Sequence, residues 1–168
     1  ESNQLLEAAQ KRLKFDEVFF IQLRLLKNKL LRTQKFKGVA FSIVGEKFNG
    51  FYNEKLPFDL TGAQKRVIKE IRVNTQKGIQ MNRLLQGDVG SGKTVVALMS
   101  MLLAIDNGYQ ACIMAPTEIL AQQHYHSIKE LVGDDFIQID LLTGSTKKKK
   151  RTILHRQLEN GELNILIG

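Results

Sequence analysis

The sequence predicts an α/β fold in which helices cover the faces of a parallel sheet, with a helical extension in front of it. Four short apolar segments have the length and composition of strands: residues 82–86, 110–115, 137–142 and 163–167. Segments with helical periodicity separate them, and the connections are short. This alternation is typical of parallel sheets, and right-handed crossovers place such strands in one sheet.

The first 55 residues lack this alternation, so we predict a helical linker with an irregular connector over 1–55 and a lobe over 56–168. Apolar residues recur at helical steps over 5–35, with a break just before Asp16, which could cap a second helix. We expect this segment to be mainly a packing helix. A contact of its basic face with nucleic acid is the secondary interpretation. Residues 36–55 lose the periodicity, and their glycines and phenylalanines predict an irregular segment whose packing partner lies in another domain.

Four helices are predicted in the second region. Thr61 has the side chain of a helix N-cap, and the helix after it runs to about Gln76. The other three follow the strands, over 93–106, 117–132 and 146–159. The last contains the basic run Lys147–Arg151. Because consecutive helical positions point all round the axis, we interpret this run as a solvated face rather than a DNA-binding patch.

A phosphate-binding loop connects the first predicted strand to the next helix. The G-x-x-x-x-G-K-[ST] motif is complete in Gly87-Asp88-Val89-Gly90-Ser91-Gly92-Lys93-Thr94. Its glycines let backbone N–H groups turn toward a phosphate chain, and the following helix adds its positive dipole end. Lys93 is the candidate contact of the β- and γ-phosphates, and the Thr94 hydroxyl is the candidate Mg²⁺ ligand. A dinucleotide site is excluded because Val95 stands where the third glycine would be.

The acid that activates water in a phosphate-loop hydrolase is not recognisable in this sequence. Such an enzyme needs a carboxylate after an apolar strand, usually with a second acid. Asp140 is the one candidate, and no glutamate follows it. We therefore interpret Asp140 as an ordinary strand residue. The chain alone is predicted to bind Mg-nucleotide weakly and to be inactive as an ATPase.

Composition narrows the class of protein. The formal net charge of +8 favours a polyanionic partner. Cys112 is the only cysteine, which excludes an internal disulfide framework and fits a reducing cytoplasm. Its apolar neighbours predict a buried, inert thiol. No apolar run approaches the roughly 18 residues of a membrane helix, and the polar start has no signal-peptide character, so we expect a cytoplasmic protein without a membrane partner.

Segments around the phosphate loop carry a resemblance to a known family. The segments are Leu56–Gln64, Arg83–Ala97, Ala115–Ala121, Leu142–Ser145 and Ile165–Gly168. In that order they resemble the Q motif, the phosphate-loop signature, motif Ia, a second DNA-backbone loop and the start of a further motif of superfamily 2 helicases. The phosphate-loop segment is most similar to that of the bacterial ATP-dependent branch-migration helicases.

The resemblance implies a RecA-like half-lobe, cut before the family's Asp-Glu-x-His motif and separated from a wedge domain and a second motor lobe. It implies ATP and Mg²⁺ as cofactors, and branched or single-stranded DNA as the partner of the whole bacterial protein. Gln64 and Phe58 would contact the adenine, since an amide both donates and accepts hydrogen bonds and a ring stacks on a base. The DNA-backbone contacts it implies are Pro116, Thr117, Thr143, Gly144 and Ser145.

Other interpretations remain open for these residues. Gln64 is also compatible with a helix surface and Phe58 with a core position, while Thr117 and Thr143 are compatible with plain helix capping. The alternative functions are a non-catalytic nucleotide-binding module and a phosphate-loop phosphotransferase of another class. We expect DNA binding by this chain to be weak, sensitive to salt and independent of sequence, because backbone contacts read no base edges.

Overall fold

The computed structural model describes residues 2–168. Its helices are α1 Ser2–Lys35, α2 Glu46–Gly50, α3 Gly62–Thr75, α4 Lys93–Asp106, α5 Glu118–Val132 and α6 Lys148–Glu159, with a π-helical turn at Phe51–Lys55 after α2. The strands are β1 Ala111–Ile113, β2 Ile139–Leu141 and β3 Ile165–Ile167. The four helices predicted beyond residue 56 are confirmed to within two residues at each end.

The sheet is parallel throughout, with β3 between β1 and β2. The chain therefore moves across the sheet from β1 to β2 and then back to β3. Right-handed crossovers in opposite directions place α5 and α6 on opposite faces. The predicted α/β class, a parallel-sheet half-lobe with an N-terminal helical extension, is confirmed.

The predicted fourth strand is wrong. In the described part of the chain, residues 82–86 have no strand partner, and the Leu84 side chain is 86% exposed. An apolar segment becomes a strand only where a neighbouring strand completes its hydrogen bonds. The segment leading into the phosphate loop has no such neighbour, and the sheet of residues 2–168 has three strands.

The core lies between one face of the sheet and the helices α3, α4 and α5. Apolar residues occur nearly all round α4, which is typical of a helix buried on most of its surface. Its fully buried side chains belong to the same core cluster as inward-facing residues of all three strands. The main members of this core are Val96, Leu98, Met99, Leu102, Ala121, Ile128, Val132, Ile139, Ile165 and Ile167. The helix that begins at the phosphate loop is therefore the central element of the fold.

Cys112 is exposed, so the predicted buried thiol is wrong. Successive strand residues point to opposite faces, and Ala111 and Ile113 take the covered face of β1. Cys112 lies on the other face of the sheet. Asp140 lies on that face too, because the two residues are paired in register with the same position of β3. Helix α6 contacts that face through Lys150, which forms an ion pair with Asp140. Asp140 lies at the edge of the sheet that is far from β1.

Helix α1 is continuous, so the predicted break before Asp16 is wrong. Asp16 accepts a hydrogen bond from Arg12 Nε at 3.0 Å, one turn earlier, instead of capping a new helix. The predicted packing is not seen either. Every described side chain of α1 is exposed except that of Asp16. Among the described residues no helix, α1 included, has the length and apolarity needed to cross a membrane.

The segment 46–55 was expected to be irregular, and it is helical. Phe51 is fully buried in the core described above, so its packing partner is in this chain and not in another domain. The Asp106 carboxylate, at the end of α4, accepts hydrogen bonds from the backbone N–H groups of Gly45, Lys47 and Phe48 at 2.9 Å each. The division of the chain at residue 56 stays a prediction.

Candidate nucleotide and nucleic-acid contact sites

The phosphate loop, residues 87–94, contains two left-handed glycines, and the second of them caps the start of α4. Gly92 has a φ of +77° and is the N-cap of the helix, and Gly90 has a φ of +80°. Residues with a Cβ rarely adopt this conformation, so the local backbone requires glycine at both positions. Lys93 and Thr94 consequently occupy the first helical turn, where the helix dipole favours anions.

Several backbone N–H groups of the loop are free. Ser91 N donates to Asp88 O at 3.2 Å and Val95 N donates to Gly92 O at 3.1 Å. Within the described chain, no protein acceptor bonds the N–H groups of Val89, Gly90, Gly92, Lys93 and Thr94. Unpaired N–H groups at a helix start are the donors that a phosphate chain needs.

The Lys93 ammonium lies on the carbonyl side of the loop. Its Nζ donates to Gly87 O at 2.8 Å and to Asp88 O at 2.6 Å, with Ser91 Oγ at 3.5 Å. These acceptors are neutral, so the charge of Lys93 is not cancelled by an acidic partner. The loop thus carries one positive charge beside its free N–H groups.

Gln64 connects helix α3 to the phosphate loop. Its Oε1 accepts from Thr61 N at 2.8 Å, and its own N donates to Thr61 Oγ1 at 3.2 Å, which completes a capping box. Its Nε2 donates to Ser91 O at 3.1 Å. The side chain is therefore beside the loop, while Phe58 is 47% exposed. Their predicted contacts with adenine stay predictions.

Asp140 is part of an ion pair. Its Oδ1 lies 2.6 Å from Lys150 Nζ and accepts a bond from Leu141 N at 2.7 Å. Within residues 2–168 no group of three His, Cys, Asp or Glu side chains is placed to hold a metal ion. These contacts support the interpretation of Asp140 as an ordinary strand residue.

The structure brings together the two loops predicted to contact DNA. Thr117 follows Pro116 and is the N-cap of α5, since its hydroxyl accepts from Leu120 N at 3.3 Å. The second loop, here called the Thr143–Ser145 turn, lies against the first turn of this helix. The connecting residue is Glu118, which sequence reasoning missed.

Glu118 accepts hydrogen bonds from both hydroxyl groups of the turn. Its Oε1 is 3.1 Å from Thr143 Oγ1 and also accepts from Ser145 Oγ, with Gln122 Nε2 at 3.4 Å. The bonds from Ser145 and Thr143 hold the pKa of the Glu118 carboxyl below its ordinary value. The available signal was an acidic residue in the first turn of a helix, where the dipole stabilises negative charge.

The basic run has two parts. Lys150 pairs with Asp140, and Arg151 Nη2 donates to Thr143 O at 3.1 Å, so these two side chains support the sheet and the turn. The side chains of 147–149 are exposed next to the turn. The interpretation of the whole run as a solvated face therefore applies to only part of it.

Comparison with protein families matches residues 61–168 to the DEAD/DEAH box helicase family. The match covers the capping box of α3, the phosphate loop, both candidate DNA loops and the sheet. The chain belongs to the DEAD/DEAH box helicase family.

Individual relatives are more specific. The chain is 45% identical over its full length to the ATP-dependent DNA helicase RecG of Synechocystis sp. and 40% identical to that of Bacillus subtilis. Over 99% of its length it is 42% identical to RecG of Aquifex aeolicus. It spans only 20%, 24% and 21% of these three relatives, respectively.

A solved structure agrees with these relatives. The structure of RecG bound to a three-way DNA junction superposes on 97% of this chain with a TM-score of 0.86 and 40% sequence identity. The chain corresponds to 22% of that protein. At this coverage the likeness includes most of α1, which the family match does not include.

Proposed function

We propose that this chain is the nucleotide-binding and DNA-contacting part of an ATP-dependent DNA helicase that remodels branched DNA in recombination and repair. The observation that carries the proposal is the set of free N–H groups in the phosphate loop, beside Lys93 and above the start of α4. The RecG relatives and the junction-bound structure support the choice of DNA over a small-molecule substrate.

ATP with Mg²⁺ is the cofactor that this donor set fits. The free N–H groups would hold the phosphate chain, and the Lys93 ammonium would exchange neutral carbonyl acceptors for charged phosphate oxygens, which are stronger ones. The Thr94 hydroxyl, one residue further along the first turn, would hold Mg²⁺. Gln64 lies beside the loop and Phe58 is exposed, so both are available to an adenine on that side.

Hydrolysis requires groups beyond those of this chain. Asp140 is bound to Lys150, and it lies on the sheet face that carries α6. We infer that the family's Asp-Glu-x-His motif, a wedge domain and a second motor lobe belong to the whole protein, which acts in the bacterial cytoplasm. This chain would then bind Mg-ATP without turning it over.

Titration calorimetry with Mg-ATP tests the nucleotide part. Lys93→Ala removes a charge-assisted contact, so binding should weaken on the order of 10- to 100-fold. The matched control is Lys149→Ala, an exposed lysine outside the loop, which should bind like the unmodified chain. Motor-like ATP turnover that Lys93→Ala abolishes, or equal binding by both variants, would contradict the assignment.

Fluorescence anisotropy across a salt series tests the DNA part. Two unrelated single strands should bind alike, with a log–log salt slope of about −2 to −3 if some three phosphates are neutralised. Thr117→Ala should weaken both about equally. Strong preference for one sequence, or affinity that ignores salt, would favour a different binding surface and the alternative of a nucleotide-binding module of another class.

A further inference from the structure

The Thr143–Ser145 turn has the donors of an anion site, and an anion of the protein already uses them. A hydroxyl group has one proton to donate. The hydroxyl groups of Thr143 and Ser145 both donate to the Glu118 carboxylate. The two hydroxyl groups of the turn therefore have no proton left to offer to an anion from outside.

A DNA phosphate needs the same donors. Hydroxyl and backbone N–H groups are the usual uncharged contacts of phosphate oxygens, and they hold a carboxylate by the same geometry. The surroundings of Glu118 suit a phosphate as well. Arg151 holds the carbonyl of Thr143, and the exposed lysines 147–149 follow the turn directly.

The Glu118 side chain is free to leave. In the described part of the chain its carboxylate accepts from uncharged donors: two hydroxyl groups and the Gln122 amide. Gln122 and Ser145 are exposed, and Glu118 itself is only partly buried. Rotation of this one partly buried side chain would release both hydroxyl donors of the turn without moving the backbone.

We propose that Glu118 is an autoinhibitory residue, whose carboxylate occupies the position of a DNA-backbone phosphate in the Thr143–Ser145 turn and must swing away before DNA binds there. This inference rests on the proposed function, since it takes the turn to be a DNA contact. It makes a prediction opposite in sign to that of a supporting role, because removal of the carboxylate should improve DNA binding.

Anisotropy with a fluorescent single-stranded oligonucleotide separates the two roles. In Glu118→Gln and Glu118→Ala we expect affinity to rise by roughly tenfold, the low end of what hydrogen bonds to a charged group contribute. The salt slope should steepen by about 0.7, the increment for one more phosphate on a single strand. Glu130→Gln removes the same charge from an exposed site on the same helix and is the matched control, with little change expected.

A second substitution shows whether the increase in DNA affinity depends on the donors of the turn. Ser145→Ala should change little while Glu118 is present, because that proton is already in use, and should abolish much of the gain in the Glu118→Ala background. Thermal midpoints and Mg-ATP binding of all variants report folding independently.

Two outcomes overturn the inference alone. Weaker binding by both Glu118 variants would mean that the carboxylate positions the turn for DNA. An equal gain in Glu130→Gln would mean that net charge, and not this contact, controls affinity. Absence of DNA binding by every variant, with Mg-ATP binding intact, would overturn the inference together with the DNA part of the proposed function.

Discussion

The phosphate loop and the Thr143–Ser145 turn invite comparison because both are predicted to bind phosphate and both precede a helix. Each is occupied by a charged side chain of the protein, but the charges are opposite. Lys93 donates to carbonyl oxygens of the loop, whereas Glu118 accepts from hydroxyl groups of the turn. The occupant of the loop attracts a phosphate, and the occupant of the turn repels one.

The difference also extends to the donors. In the loop, the N–H groups of Gly90, Gly92 and Thr94 have no protein acceptor in the described chain, so these donors can bind a phosphate without giving up a hydrogen bond of their own. In the turn, both hydroxyl protons are already committed. The two sites are both predicted to bind phosphate, but they differ in whether their donors are free. Substitutions at matched positions should therefore affect them unequally.

The largest difference in stability should come from side chains that hold the two regions in place by hydrogen bonds to the backbone. Asp106→Ala removes the carboxylate that accepts three N–H groups at the far end of α4, and we expect it to cost about 2–3 kcal/mol of unfolding free energy. Arg151→Ala removes one exposed bond to the turn and should cost less than about 1 kcal/mol. Urea unfolding measures both. Equal losses would show that α4 does not depend on the segment before it.

The next largest difference in stability should come from replacing one glycine of each site by alanine. Gly92→Ala places a Cβ against the Gln64 side chain at a φ of +77°, so we expect roughly 1–2 kcal/mol of destabilisation and weaker Mg-ATP binding. At Gly144 an added Cβ meets nothing within 4 Å, and φ lies outside the left-handed region. Gly144→Ala should stay within about 0.5 kcal/mol of the unmodified chain. If Gly92→Ala were equally silent, the loop conformation described above would not be the one in solution.

Loss of either threonine N-cap should lower the stability by about the same amount, but each loss should weaken the binding of a different ligand. Thr61→Ala and Thr117→Ala each remove an N-cap hydroxyl, which typically costs about 1 kcal/mol. The Thr61 hydroxyl accepts from the backbone N–H of Gln64, whose side chain contacts the loop at Ser91, so its loss should loosen this helix start, weaken Mg-ATP binding and spare DNA. Thr117→Ala should do the reverse. Calorimetry and anisotropy on the same two proteins would reveal a shared defect if the two sites were one unit.

The smallest effect is the pH dependence of the turn. The Glu118 carboxyl has a pKa lowered by Ser145 and Thr143, so its contact stabilises the fold above the pKa of the unfolded chain and is lost as the pH falls through the folded value. In NMR spectra the Ser145 amide should shift in that acidic range. Glu118→Gln should remove the step, and its persistence would assign the titration to another carboxyl.

Much of the fold could be predicted from local sequence. Helix α4 was predicted residue for residue, because a glycine N-cap and a long apolar run mark its start and its interior. Thr61 and Gln64 predict a helix start for the same reason, since capping is chemistry between residues three positions apart. The three strands of the sheet were found, although each is shorter than its apolar segment.

The errors concern partners that local sequence does not contain. Leu84 lies in a segment with strand-like composition but without a strand beside it. Phe51 lies in a segment without periodicity, yet it is buried because α2 is held to the end of α4 by Asp106. The apolar residues of α1 have helical spacing, which predicts a helix but cannot say whether anything covers it.

The same distinction holds for function. The sequence by itself determined the phosphate-loop motif and the helix behind it, and it predicted the loops around them, because these depend on residue types at short, constant spacing. Only the tertiary structure decided that Gln64 contacts the loop at Ser91 and that Glu118 joins two loops some 25 residues apart in sequence. The physical reason is that a hydrogen bond between distant residues depends on where packing places both partners, and α4, α5 and the sheet decide that placement together.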